Sequence, residues 1–285
     1  MSFRGGFFRR TNLVVGTLVE KTVARRPLEY GLNKGFRTTK VVVSMASYAA
    51  RFATIEPTLR SLVTQSVKPD KILVYLDEDE PTEAMRAYEQ YGVEFIQTSD
   101  ELRPHKKYYY AMQSYPDSIV ITVDDDIVYP HTLLAKLLAV HAVHPEAVVT
   151  YRAHKMTFTD GVLDPYQDWV YECRSELAPT FELFATGGAG CLYPPHCLPD
   201  EAFDKDAIKE LSWNADDVWL KVMELLAGTP VVWAANALVM PKESTGSQEQ
   251  SLQADNVWQG TNDQYLKALF ERYPAALDRL SKETV

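Results

Sequence analysis

The sequence predicts an open α/β sheet of the Rossmann type, mostly parallel and flanked by helices. Three observations lead there. Short apolar, β-branched runs recur at Lys40–Met45, Lys71–Leu76, Ile119–Val123 and Ala147–Tyr151, and unbroken apolar character marks strands buried on both faces. Segments with apolar residues on one helical face separate them, the alternation expected of a parallel sheet. Two of the runs also end in acid, at Asp77-Glu78-Asp79-Glu80 and at Asp124-Asp125-Asp126.

The elements follow in order. Lys40–Met45 is the first strand and Ala46–Phe52 a loop. Ile55, Leu59, Leu62 and Val63 share one face of a helix in which Pro57 falls early, where proline is tolerated. Lys71–Leu76 is the second strand after the turn Lys68-Pro69-Asp70. Pro81–Tyr91 reads as a helix and Val93–Gln97 as a short third strand. Tyr108–Ser114 is a helix, with Lys106 and Lys107 on the loop before it. Ile119–Val123 is the fourth strand. His131–His144 carries Leu133, Leu134, Leu137 and Leu138 along one face, and Ala147–Tyr151 is the fifth strand. After Tyr151 the rhythm changes. Asp160–Glu182 is aromatic and polar, Thr186–Gly190 is glycine-rich, Asn214-Ala215-Asp216-Asp217 opens a helix over Val218–Leu226, and Val231–Ala235 is a strand. Glu243–Gly260 reads as a mobile loop, and Asn262 as the cap of a last helix.

Composition narrows the function classes. The chain has 285 residues, 46% of them apolar, and a net charge of −10. It can bury a substantial core, and no apolar stretch approaches the roughly 20 residues that span a bilayer. Residues 1–40 hold nine Lys or Arg against Glu20 and Glu29, a net of +7, so the rest carries −17. An acidic body argues against nucleic-acid binding, which needs a basic footprint. The basic head suits either an arm packed on the domain or contact with an anionic membrane surface, with Leu13, Val14, Leu18 and Val19 on one helix face. Cys173, Cys191 and Cys197 lack metal-ligand spacing and read as reduced thiols of a cytoplasmic protein.

The aspartate triplet is where chemistry is expected. Carboxylates crowded at the end of a buried strand repel one another and lose hydration. A divalent cation offsets both costs, and the carboxyl end of such strands is where ligands bind. In the D-x-D pair Asp124 and Asp126, alternate side chains of an extended segment point the same way. Lys106 and Lys107 face the same edge as candidate phosphate partners. Asp216 and Asp217 are either helix caps or a proton acceptor; the helix dipole would weaken such a base unless desolvation raised its pKa. The Thr186–Gly190 run lacks the G-x-G-x-x-G spacing, but its glycines let backbone approach a ligand. Tyr166 and Trp169 are candidates to stack on an acceptor sugar.

Together these residues resemble a GT-A-fold glycosyltransferase of the family-2-like type found in bacterial polysaccharide synthesis. The resemblance spans about residues 40–240. It rests on Val41–Arg51, Gln65–Lys71, Asp124-Asp125-Asp126, Gly187–Gly190 and Ala215–Trp219. It implies Asp126, with Asp124, as ligands of Mn²⁺ or Mg²⁺ on the donor diphosphate. Ser44, Tyr48, Arg51, Asp77, Lys106, Lys107 and Asp125 would line the nucleotide pocket, with Asp124 also reaching the ribose or a metal-bound water. Gly188 and Ala189 would border the donor sugar. Asp217 would be the base of an inverting transfer, with Asp216 as the alternative because the pair is Asp-Asp and not the usual Glu-Asp.

The resemblance implies a nucleotide-sugar donor, a UDP-sugar, and a glycan or lipid-linked acceptor at the inner face of a membrane. A nucleotidyltransferase is disfavoured because Ser44–Arg51 contains no glycine. A non-catalytic glycan- or metal-binding module fits the clustered acid only loosely. The expected organisation is a basic arm over 1–39, a catalytic domain over 40–240 with a nucleotide half (40–150) and a sugar and acceptor half (151–240), and a C-terminal loop and helix over 241–285.

Overall fold

The computed structural model of the protein describes residues 21–99, 101–235, 241–243 and 260–283. The apolar helix face expected over Leu13–Val19, and all but the ends of the loop expected over Glu243–Gly260, lie outside these residues. Among the described residues no helix is long and apolar enough to cross a membrane.

Seven strands form the main sheet: β1 (Val41–Ser47), β2 (Lys71–Leu76), β3 (Val93–Gln97), β4 (Ile119–Val123), β6 (Val148–Thr150), β11 (Cys191–Tyr193) and β12 (Val231–Trp233). Their order is β12-β6-β11-β4-β1-β2-β3. β1 pairs in parallel with β2 and β4, and β2 with β3. β6 is parallel to β12, while β11 runs antiparallel between β4 and β6. The carboxyl ends of β1, β2, β4 and β6 therefore share one edge, and chain order reverses between β1 and β4, the place where open sheets bind ligands. Short pairs complete the strands: β5 (Ile127–Val128) with β13 (Lys242–Glu243), β7 (Ala153–Lys155) with β10 (Leu183–Ala185), and β8 (Phe158–Thr159) with β9 (Val162–Leu163).

Period-2 alternation builds two layers. Val41, Val43, Met45, Ile121 and Val123 pack with Leu59 and Leu62 of α1 (Glu56–Val63) and with Leu133, Leu134 and Leu137, which belong to α4 (Leu133–His141). Val42, Leu73, Tyr75 and Val120 face Ala111 of α3 (Lys106–Ser114). A third apolar cluster joins β6, β11 and β12 to Trp219, Val222 and Met223 of α6 (Asp216–Ala227), beside α5 (Lys205–Leu211), and takes in Leu266, Leu269, Ala276 and Leu280 from α7 (Thr261–Arg272) and α8 (Pro274–Glu283).

Several expectations need correction. The helix over Pro81–Tyr91 shrinks to one turn, α2 (Glu83–Arg86), capped by Thr82, because Gly92 in a left-handed conformation closes a separate 3₁₀ turn over Glu89–Tyr91. Helix α3 begins at Lys106, so both lysines sit on its first turn and not on a loop. Asp216 and Asp217 lie inside α6, whose cap position is Ala215, and neither carboxylate caps it. Asn262 is buried within α7, after Gly260 at the cap position, and α8 follows as a further helix.

α6 also buries a charged pair. Lys221 and Glu224 are each 1% exposed, with Lys221 Nζ 3.8 Å from Glu224 Oε2, and Nζ donates to the Leu183 carbonyl at 2.7 Å. Burial pushes Lys221 down and Glu224 up to about 7. Removing one member of a buried pair leaves an uncompensated charge, whereas an apolar replacement of both does not. Lys221→Met should lower the unfolding free energy by about 3–5 kcal/mol. The double change Lys221→Met/Glu224→Leu should recover most of it, both read from urea unfolding at pH 8.

Candidate active site

Three turns and two helix starts meet at the carboxyl edge of the sheet. The turn after β4 carries the three aspartates, and each finds a different partner. Asp124 Oδ1 accepts from Lys107 Nζ at 2.6 Å. Asp125 is buried, with its Oδ2 accepting from the Ser47 hydroxyl at 2.6 Å. Asp126 Oδ2 lies 3.4 Å from the Arg51 guanidinium. Burial raises the Asp125 carboxyl to about 7, helped by Asp126 and Asp124 and opposed by Ser47 and Arg51. Its place among nucleotide-contacting residues gives way to an internal brace, because the side chain faces β1.

Lys107 is the hub. It is 4% exposed and reaches both Asp124 and, at 2.9 Å, Asp216. Burial alone would discharge it, but Asp124, Asp216 and Asp217 together hold its pKa well above the ordinary value. Asp216 sits below the ordinary carboxylate value: burial opposes this, and Lys107 outweighs it. The neighbouring Asp217 goes the other way, up to about 8, through burial first and then the charges of Asp216 and Asp124. The two positions are held in register by His105. Its Nε2 donates to the Ser212 carbonyl at 2.8 Å, tying the start of α3 to the approach of α6, and burial lowers its pKa to about 4.

The glycine turn Gly187–Ala189 precedes β11 and closes the site from the other side. The Gly187 N–H donates to Asp217 Oδ1 at 2.9 Å. A Cβ on Gly187 would stand 2.6 Å from that oxygen, and one on Gly188 would stand 2.8 Å from Asp124 Oδ2. A side chain at either position would push a carboxylate aside, so glycine lets the turn approach both closely. Tyr129, fully buried, ties the turns together: its hydroxyl accepts from the Asp124 N–H and donates to the Gly188 carbonyl, each at 2.8 Å.

Other expected residues divide in two. Tyr48 is 38% exposed after β1, and Asp77, after β2, pairs with the buried Lys106. Both stand at the edge. Ser44 does not. It is fully buried and donates to the Lys107 carbonyl at 2.5 Å, because strand parity points it at α3. Ala189 is 2% exposed and packs into the core, so only backbone from that position borders the mouth. Trp169 is 3% exposed, donates to the Asp164 carbonyl at 2.8 Å and packs tilted against Tyr166, with ring centroids 4.7 Å apart. It is core and not a sugar platform. Tyr166 is buried too, yet near enough for Asp217 to help raise its pKa. Arg152 and Tyr129 belong to the site and were not anticipated.

Among the described residues no three His, Cys, Asp or Glu side chains are placed to hold a metal. The expected pair Asp124 and Asp126 is not a preformed cage, because each carboxylate has taken a cationic partner. Their hard oxygens, on side chains 35% and 18% exposed, still suit Mg²⁺ or Mn²⁺. Mg²⁺ typically binds through one or two carboxylates plus substrate phosphates.

A mostly parallel, helix-flanked sheet that presents these aspartates beside a glycine turn defines the chain as a GT-A glycosyltransferase. The sequence model of glycosyl transferase family 2 matches residues 42–186, just over half of the chain, and the chain belongs to that family. Among solved structures, Staphylococcus aureus TarS 1-349 in complex with UDP-GlcNAc superposes with a TM-score of 0.50 at 15% identity, covering 82% of this chain and 72% of that one. The Pyrobaculum calidifontis mannosyltransferase PcManGT, in complex with GDP-Man and Mn²⁺, gives 0.49 at 12% identity over 96% of this chain and 84% of that one. At 15% identity the likeness to TarS is one of fold. No curated protein matches the chain by sequence.

The glycine turn generates a prediction. Gly187→Ala should displace the Asp217 carboxylate and lower transfer on the order of 10²-fold, measured as nucleoside diphosphate release, while far-ultraviolet circular dichroism remains that of the parent.

Proposed function

We propose that the protein is an inverting glycosyltransferase that moves a sugar from a nucleotide-sugar donor, a UDP-sugar, to a hydroxyl of a glycan or lipid-linked acceptor in surface polysaccharide synthesis. The observation that carries this reading is the Lys107 bridge, 2.6 Å to Asp124 and 2.9 Å to Asp216. It joins the donor-side aspartates and the Asp216-Asp217 pair in one charge network.

In this reading Asp217 accepts the proton of the acceptor hydroxyl. The acceptor hydroxyl oxygen bonds to the anomeric carbon as the bond from that carbon to the diphosphate oxygen breaks, and the bonding pair leaves on the diphosphate oxygen. Attack from the side opposite the leaving group inverts the configuration. A carboxylate raised to about 8 is a stronger base than an ordinary one and better matched to a hydroxyl. Asp216, held anionic by Lys107, keeps the pair from ionising cheaply together and so assigns the proton to Asp217. The Gly187 N–H fixes the direction of the Asp217 carboxylate. Tyr48 and Asp77, with Lys106, border the nucleotide.

Asp126 and Asp124 would hold Mn²⁺ or Mg²⁺, which supplies positive charge against the developing diphosphate. The basic arm over residues 1–39 would bring the catalytic domain to an anionic membrane surface, where a lipid-linked acceptor is presented. The domain limits proposed are 1–39, 40–240 and 241–285.

Two outcomes test the reading. Asp217→Asn should lower nucleoside diphosphate release from a responsive UDP-sugar by about 10²–10⁴-fold with little change in KM. The raised pKa gives the sign of the pH effect: Asp217 works only when ionised, so kcat/KM should approach its plateau above about pH 8 and fall towards tenfold per pH unit below it. That limb should be missing from the residual activity of Asp217→Asn. A flat profile from pH 6 to 9, or a variant as active as the parent, removes Asp217 from the reaction.

A further inference from the structure

The mouth of the site contains a cation that the reading above leaves without a task. Arg152 follows β6 at the same edge as the aspartates and is half-buried. Its backbone is clamped: the carbonyl accepts from the Thr150 hydroxyl at 2.7 Å and from the Thr186 N–H at 3.1 Å. Its side chain is aimed by Nε, which donates to the Thr186 hydroxyl at 2.8 Å. The Nη2 end projects beside Gly188, 3.8 Å from the point that a Cβ there would occupy, and Asp124 Oδ2 lies 2.8 Å from that same point. Arg152 and Asp124 thus flank one space that glycine keeps open.

The charge pattern sets Arg152 apart. Arg51, Lys106 and Lys107 are each paired with a carboxylate of the site: Asp126, Asp77, and both Asp124 and Asp216. Among the described residues no carboxylate lies within ion-pair distance of Arg152, and its one side-chain hydrogen bond goes to a hydroxyl. Among the described residues no acceptor is bonded to its terminal nitrogens. A diphosphate entering an edge that carries six aspartates meets repulsion, and a guanidinium already oriented offers a planar fork of donors suited to phosphate.

We infer that Arg152 binds the terminal phosphate of the donor diphosphate beside Gly188, and through that contact stabilises the group that departs. The inference rests on the nucleotide-sugar reading of the site. A carboxylate on the transferred sugar offers the same anionic chemistry, so the test separates the two.

The experiment is calorimetric titration of UDP, UMP and UDP-glucuronate, with GDP and GMP in parallel, into the full chain in EDTA. Wild type, Arg152→Gln, Arg152→Lys and Thr186→Val are compared, each checked for a parent-like thermal transition. Losing a hydrogen-bonded charge contact costs on the order of 10- to 100-fold in affinity. Arg152→Gln should weaken UDP by that factor and UMP by less than about threefold. Thr186→Val, which keeps the charge but frees its aim, should weaken UDP by a smaller factor, and it carries the test with Arg152→Lys if Arg152→Gln fails to fold. Equal loss for UDP and UMP, or no loss for either, overturns the inference. So does a loss confined to UDP-glucuronate, which moves the contact to a sugar carboxylate. If wild type prefers UDP to UMP and every variant does the same, the inference alone fails. If folded wild type binds no nucleotide, the nucleotide-sugar reading fails with it.

Discussion

One buried ammonium governs the site. Lys107 is 4% exposed and touches carboxylates from two separate elements, the turn after β4 and the start of α6. Without it, Asp124, Asp216 and Asp217 would face one another at this edge, and like charges at such range cannot all stay ionised. With it, Asp216 is held anionic, while burial and then the charges of Asp216 and Asp124 push Asp217 up to about 8 against the pull of Lys107. Electrostatic order, rather than sequence position, therefore distinguishes two adjacent aspartates. The order depends on burial, so it also depends on the apolar packing that keeps water from Lys107.

Topology makes this packing possible. Parallel pairing brings the ends of β1, β2 and β4 to one edge. The antiparallel β11 then enters between β4 and β6, and the turn that feeds it delivers Gly187 and Gly188 to that edge. A parallel strand in this slot would have placed its preceding turn at the opposite edge. The antiparallel insertion is thus what sets backbone N–H and open space directly against Asp217 and Asp124. Tyr129 and His105 act as struts, one tying the aspartate turn to the glycine turn and the other tying α3 to the approach of α6.

Much of this was legible in the residues. Runs such as Val41-Val42-Val43 and Ile119–Val123 announce buried strands, and acid directly behind Val123 marks the edge where ligands meet the sheet. Strand parity speaks for Ser44 too: it alternates with Val43 and Met45 and so shares the face of Val42, against α3. β11 was harder, because three residues before Pro194-Pro195 give too little periodicity to separate a strand from a turn. The partners of Asp124 and Asp126 were not legible, since the pairing of Lys107 with Asp216 depends on how α3 and α6 approach each other. Arg152 had a signal of the same kind as the aspartates, a charge immediately after the apolar run Ala147–Tyr151. Tyr129 had none, since its role arises only when two distant turns meet.

As proposed above, this edge is a donor site in which the aspartate turn takes part through a metal carried with the diphosphate. The most direct measurement is calorimetric binding of UDP and GDP to folded protein with and without Mn²⁺, for wild type and Asp126→Ala. On that proposal UDP binds, Mn²⁺ strengthens its binding to wild type, and Asp126→Ala removes the strengthening. Failure of folded wild type to bind either nucleotide under both conditions would contradict it, as would binding to which neither Mn²⁺ nor Asp126 makes any difference.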